Sequence, residues 1–308
     1  MKKTDFKYIS KDKATLIHAI RWEPETEVRA VLQICHGMAE YIDRYDDLAS
    51  FLAENGIAVV GNDHLGHGAS VKTDEDLGFF PEKSGNEYII GDIHTLYAIT
   101  KKRYPDVPYF ILGHSMGSFL VRQYITLYGK DLSGALILDT GYQSGFTLKM
   151  AKRTALKNML KNGGHSYSDL IEKASFKGFN KAFEPARTQF DWLNRDEAAV
   201  DKYIADPRTG FSFTVSAYYH MFRGMAYADD KANMARIPKD LPLFIASGTM
   251  DPVGNMGKGV KKVFDRFVKL GMKEVEMKLY PDARHEIFNE LNRAEVYADL
   301  LGFIVKHS

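Results

Sequence analysis

Cysteine is almost missing from the chain. Cys35 is the only one among 308 residues, so no internal disulfide can form. Its place in the apolar run 31–35 points to a buried, inert thiol. Long hydrophobic runs are missing as well: no stretch of about 18 uncharged apolar residues occurs, which excludes a membrane-spanning helix. The N-terminal Met1-Lys2-Lys3-Thr4-Asp5-Phe6-Lys7 meets charge again before the apolar core of a signal peptide can form, and a cytoplasmic protein is expected. Excess charge of one sign is absent: 41 Lys and Arg against 40 Asp and Glu leave +1, so no overall field recruits nucleic acid or an acidic partner. Neither common type of phosphate-cradling glycine-rich loop occurs, and no nucleotide cofactor is implied. Internal repeats and low-complexity tracts are also lacking.

What is present is the composition of a globular protein, 45% hydrophobic and 26% charged, with ample length for a core. Two alternating segments, 6–10 and 14–20, flank Lys11-Asp12-Lys13 and read as an antiparallel hairpin. After them come short apolar runs without alternation, at 30–34, 57–61, 109–112, 135–138 and 243–246, as expected of strands buried on both faces of a parallel sheet. A further strand is expected at 275–280. Helical patterns at 45–54, 87–103 and 116–128 lie between them and end at Asn55-Gly56, before Pro105 and at Gly129. Strand and helix in alternation predict an α/β protein with a mostly parallel, doubly wound sheet. Residues 142–237 offer helical periods but no strand. They read as a helical cap inserted into a core made of 1–141 and 238–308. Phe176, Phe179, Trp192, Phe211, Phe222 and Met225 fill that cap, some of them free to line an apolar tunnel.

Gly113-His114-Ser115-Met116-Gly117 follows an expected strand and opens an expected helix, the context that gives G-x-S-x-G its meaning. A serine in that turn is exposed above the sheet as a nucleophile. Its hydroxyl needs a base, and the base needs an orienting carboxylate. Four histidines follow Ser115. His165 and His220 fall in the cap and His307 is next to last, whereas His285 lies in a loop just past the last strand and is the expected base. For the acid, Asp251 follows the strand at 243–246 and stands at the same rim. Asp139, ending the strand after the elbow helix, is its rival, and Asp282 a poorer third. Oxyanion donors are expected from the backbone N–H of Met116 and, in His36-Gly37-Met38-Ala39-Glu40, of Met38.

Together these residues resemble the monoacylglycerol lipase and lysophospholipase branch of the α/β-hydrolases, also described as serine aminopeptidase-like. The resemblance rests on His36-Gly37-Met38-Ala39-Glu40, Arg44-Tyr45, Asn62-Asp63-His64-Leu65-Gly66-His67-Gly68-Ala69-Ser70, Gly113-His114-Ser115-Met116-Gly117, Gly248-Thr249-Met250-Asp251 and His285-Glu286, spread over most of the chain outside the cap. It implies the triad Ser115, Asp251 and His285, the Met38 and Met116 amides, and small-molecule, lipid-like acyl esters as substrates without a cofactor. Two departures, Ser118 where a second glycine is common and Leu65 where an arginine is, are expected to alter the pocket wall.

Asp63, His64 and His67 are of metal-ligating types, but their spacing suits no helix face and no further cluster accompanies them, so a structural loop is expected and no metal. Residues 149–161 form a basic amphipathic helix. The plainer role is a solvated face; the alternative is transient contact with an anionic lipid surface. A peptidase or amidase of the same fold needs an amine-binding site in the cap, for which Glu172, Glu184 and Asp191 are available. A non-catalytic binding protein is disfavoured by the intact set of residues. Dehalogenase and epoxide-hydrolase chemistry needs an aspartate where Ser115 stands.

Overall fold

A computed structural model describes the whole chain, Met1–Ser308. The chain opens with the hairpin strands β1 (Lys2–Ile9) and β2 (Leu16–Glu23). There follow β3 (Ala30–Cys35), α1 (Asp46–Glu54), β4 (Ile57–Asn62), α2 (Gly85–Arg103), β5 (Tyr109–His114), α3 (Met116–Tyr128) and β6 (Gly134–Leu138). A helical stretch then carries α4 (Gly145–Asn162), α5 (Asp169–Ser175), α6 (Glu197–Ala205), α7 (Val215–Ala228) and α8 (Lys231–Met234). The chain closes with β7 (Leu243–Gly248), α9 (Lys258–Lys269), β8 (Val275–Tyr280) and α10 (Arg293–Lys306). No helix is long and apolar enough to cross a membrane.

All eight strands form one sheet in the order β1-β2-β4-β3-β5-β6-β7-β8. β2 runs antiparallel to both β1 and β4, and every other pairing is parallel. The uninterrupted apolar runs are explained by the sheet having a core on each face. In β3, Val31 and Cys35 enter one core, packed by α2, α3 and α9, while Ala30, Leu32 and Ile34 enter the other, packed by α1 and α10. Tyr109 and Ile111 divide from Phe110 and Leu112 in the same way. Period-two alternation with both faces apolar leaves few polar residues to mark it, the buried Gln33 of β3 being one.

Boundaries differ from the sequence expectation in informative places. The hairpin runs from Lys2↔Glu23 to Ile9↔Leu16, longer and shifted outward, because an edge strand pairs through its backbone whatever its side chains are. β5 continues to His114, up to the elbow itself. α1 is preceded by a 3₁₀ turn, Ile42–Tyr45, and α2 starts at Gly85. No strand occurs between β6 and β7. In the helical stretch between β6 and β7, α4 packs beside α7, and α7 lies on α3. Strand order reverses at β3, with β4 on one side and β5 on the other. That switch point is where ligands bind in open α/β sheets.

Candidate active site

Ser115 joins β5 to α3 at φ +52° and ψ −118°, a conformation that costs a non-glycine residue about 1–3 kcal/mol. The strain is held by close packing around it. A Cβ on Gly117 would lie 1.9 Å from the Cys35 carbonyl oxygen, and one on Gly113 would lie 2.2 Å from that of Gly117. The Ser115 amide donates to the Leu138 carbonyl at 3.1 Å. Strand, turn and helix can meet this closely only through glycine at both positions.

His285, in the loop after β8, meets Ser115 from the opposite side. Its Nε2 lies 2.8 Å from Ser115 Oγ and its Nδ1 2.9 Å from Asp251 Oδ1. A carboxylate beside Nδ1 places the ring proton there and leaves Nε2 to accept from the serine. Asp251, at 0% exposure, also accepts the Val253 amide on Oδ1 and the Ser247 hydroxyl on Oδ2, each at 2.9 Å. Asp139, the rival acid, faces elsewhere: its Oδ2 is 3.6 Å from His114 Nε2 and 3.5 Å from the Ile287 amide. Burial, and then the charge of Asp251, push its carboxyl well above the usual range. Asp282 sits exposed at the loop tip with its amide on Thr249. The other downstream histidines have separate tasks: His165 stacks on Phe79, His220 accepts the Asn86 amide, and His307 packs on Phe303.

The loop after β3 brings Met38 to the same cavity as Ser115 and Met116. Its neighbours are tied down. The Gly37 amide donates to Glu40 Oε1 at 2.6 Å and the Ala39 amide to His67 Nε2 at 3.3 Å. Glu40 anchors a buried network that sequence reasoning missed. It accepts Tyr45 Oη at 2.8 Å, contacts His114 Nδ1 at 3.0 Å and pairs with Arg44 at 2.6 Å, and Arg44 reaches on to Glu286 at 2.8 Å. Burial alone would raise the Glu40 carboxyl, but Arg44 and His114 outweigh it and hold it below its ordinary value. The i, i+4 spacing of Glu40 and Arg44 was the visible signal.

Ser115, His285 and Met38 open into a cavity of about 1250 Å³ whose roof is the insert. Leu148, Ile171, Phe176, Phe179, Trp192 and Phe222 line it, and the Trp192 ring stands 5.1 Å from that of His285. Glu172 and Glu184 also border it, whereas the Asp191 carboxylate is taken up by Thr188 and the Arg187 amide. Ser118 and Leu65 are buried in the core instead of lining the cavity; the Ser118 hydroxyl donates to the Ser115 carbonyl at 2.5 Å. The expectation that these two departures reshape the pocket wall is therefore corrected. Asp63 accepts the Ile42 and Ala69 amides and contacts His18, each at 2.8 Å, which fixes the loop that holds His64 and His67. No group of three His, Cys, Asp or Glu side chains is arranged to hold a metal ion.

Known proteins resemble the chain over most of its length. A family model described as serine aminopeptidase, S33, matches residues 26–292. The chain is 31% identical to the monoglyceride lipase of Homo sapiens over 292 residues, covering 88% of this chain and 84% of that one. It is 26% identical to a monoacylglycerol lipase of Mycolicibacterium smegmatis over 287 residues, covering 93% and 91%. A thermostable carboxyl esterase from Bacillus coagulans, solved in complex with glycerol, superposes with a TM-score of 0.93 at 27% identity, covering 100% of this chain and 99% of that one. With its strand order, its elbow and a family match that runs from before β3 to the start of α10, the chain belongs to the serine aminopeptidase S33 family of α/β-hydrolases.

Proposed function

We propose that Ser115, His285 and Asp251 are the catalytic triad of this carboxylic ester hydrolase, with the Met38 and Met116 amides as oxyanion donors. Lipid-like acyl esters of the monoacylglycerol or lysophospholipid type are its substrates. Ser115 Oγ attacks the acyl carbon while His285 Nε2 takes its proton, and the alcohol leaves with that proton as the acyl-enzyme forms. Water then attacks the acyl carbon, gives a proton to His285, and releases the acid as Ser115 regains its hydrogen. Asp251 keeps the imidazole oriented and stabilises its charged form. The observation that carries this reading is the imidazole bonded on both nitrogens, to Ser115 and to Asp251.

The substrate class is supported by the large, mainly apolar cavity and by what the relatives are named for. In this reading residues 142–237 are a cap. α4 turns Leu148, Ala151 and Thr154 toward the cavity and an opposite stripe outward. On that stripe Phe146 and Leu160, 75% and 77% exposed, alternate with Lys149, Arg153, Lys157 and Lys161. Apolar side chains among cations suit the surface of an anionic lipid layer, from which substrate enters beneath the same helix. Labelling by a fluorophosphonate probe tests the enzyme reading: the native protein is labelled and Ser115→Ala is not. Absence of labelling, or equal labelling of both, overturns it.

An aminopeptidase reading is favoured by one observation, the Glu172 and Glu184 carboxylates at the cavity. Rates on p-nitrophenyl esters of rising chain length against amino-acid anilides separate the two. Faster turnover of the anilides transfers the assignment.

A further inference from the structure

Three imidazoles cluster at tilted and edge-on angles beside the loop that carries Met38. The His36 ring centroid is 4.1 Å from that of His64 and 5.0 Å from that of His67, and all three are buried. Hydrogen bonds fix the tautomers of two of them. His36 Nε2 accepts the His64 amide at 2.9 Å, so its proton is on Nδ1 and is donated to the Gly37 carbonyl at 2.8 Å. His67 Nε2 accepts the Ala39 amide at 3.3 Å, so its Nδ1–H is donated to the Leu65 carbonyl at 2.9 Å.

A peptide group is a rigid plate with its C=O and N–H pointing opposite ways. The plate that contains the Met38 N–H is the one whose carbonyl His36 holds. The next plate, joined to it at the Met38 Cα, is the one whose N–H His67 holds. Ala39 sits at φ +52°, where an alanine is disfavoured by about 1–2 kcal/mol unless its amide and carbonyl are fixed from outside. Its carbonyl is fixed by the cap, through the Gly210 amide at 3.0 Å and Tyr203 Oη at 3.3 Å. Its amide has His67. Burial pushes His67 down to about 3, so the ring stays neutral and accepting wherever the protein works.

We propose that His67 is a positioning residue, holding the peptide after Met38 so that the Met38 N–H stays aimed at the oxyanion above Ser115. The inference rests on the reading of Met38 as an oxyanion donor. His67 touches no reacting atom. Neither residue's spacing from the elbow suggests the link, which runs through a loop that otherwise serves the fold.

The test compares a p-nitrophenyl ester with its thionoester, whose sulfur is poorly accommodated by donors set for oxygen. His67→Phe keeps an aromatic ring among Phe80, Phe211 and Phe213 but has no acceptor. His67→Gln restores an acceptor at the reach of Nε2. Misdirecting one oxyanion donor is expected to lower kcat on the oxygen ester by about 10- to 100-fold in His67→Phe. KM stays nearly constant and the oxygen-to-sulfur rate ratio falls, because the thionoester never gained from that donor. His67→Gln recovers most of the ratio. A folded His67→Phe protein with the parent's ratio, or a Gln variant as impaired as the Phe one, overturns the inference, since loss of folded protein lowers both rates alike. If His67→Phe does not fold, replacing Ala39 by its α-hydroxy acid deletes the N–H alone, and the same fall in ratio is expected; an unchanged ratio overturns the proposal. A parent enzyme that does not discriminate between the two esters overturns the Met38 reading itself.

Discussion

The cluster of His36, His64 and His67 makes the protein sensitive to acid in a way that can be apportioned to one residue. Burial holds His67 at about 3 against the ordinary 6.5, and it lowers His36 and His64 as well. In the unfolded chain each ring binds a proton below about 6.5, while the native ring refuses it, so the unfolded state carries more protons as pH falls. Stability from this source is complete above that pH and is lost progressively toward pH 3. For His67 the loss is about 1.4 kcal/mol per pH unit, or about 5 kcal/mol over the full window, a large part of the total stability of an ordinary domain. Carboxylates contribute slopes of their own, so the measurement is a difference. Urea unfolding of the parent and of His67→Phe, followed by far-UV circular dichroism between about pH 6.5 and pH 4.5, should give a variant less dependent on pH by about 1.4 kcal/mol per unit. The lost hydrogen bond to Ala39 shifts the variant's curve by a constant and leaves the slope difference intact. Parallel curves would show that His67 accepts a proton in the native state, and the tautomer argument would fail with it.

Asp251→Asn should lower kcat about 10³- to 10⁴-fold by favouring the wrong tautomer of the imidazole, whereas Asp139→Asn should stay close to the parent on the same ester. Because burial and Asp251 raise the Asp139 carboxyl, the native state retains its proton and loses stability as pH rises above the ordinary carboxylate range; the Asn variant should gain in relative Tm from pH 5 to 8. Replacing Lys149 and Arg153 by glutamine removes two cations from the outer stripe of α4. At about 1 kcal/mol each near an anionic surface, this should cut partitioning into anionic vesicles about 30-fold and slow hydrolysis there, with a short water-dissolved ester turned over as before. Gly117→Ala should yield little folded protein, because its Cβ meets the Cys35 carbonyl; a fluorophosphonate-labelled, normally melting variant would refute the packing argument.

Much of this was legible in the residues, for reasons that the structure makes plain. β3, β5, β6 and β7 carry apolar side chains to two cores, so their runs stand out from any helix or loop. Ser115, Asp251 and His285 each follow a strand directly or within a short loop, and a doubly wound sheet brings such loops to one rim. The choice between Asp251 and Asp139 was open in sequence because both end neighbouring strands; only the direction of their side chains separates them. The Glu40–Arg44–Glu286 network was hidden because Arg44 and its partner Glu286 lie 242 residues apart along the chain. The insert was readable as helical but not in its allegiance. Phe213 and Tyr218 belong to the main core, while Phe176 and Phe179 gather around Trp192.

The packing of Trp192 over His285 gives the protein an optical gauge of its own active site. The chain has two tryptophans, and the other, Trp22, is buried in β2 with its indole N–H donated to Asp46 at 2.8 Å. An imidazolium quenches a neighbouring indole and a neutral imidazole does so far less. Emission from a Trp22→Phe protein therefore reports the charge at His285 and whether Trp192 still lies against it.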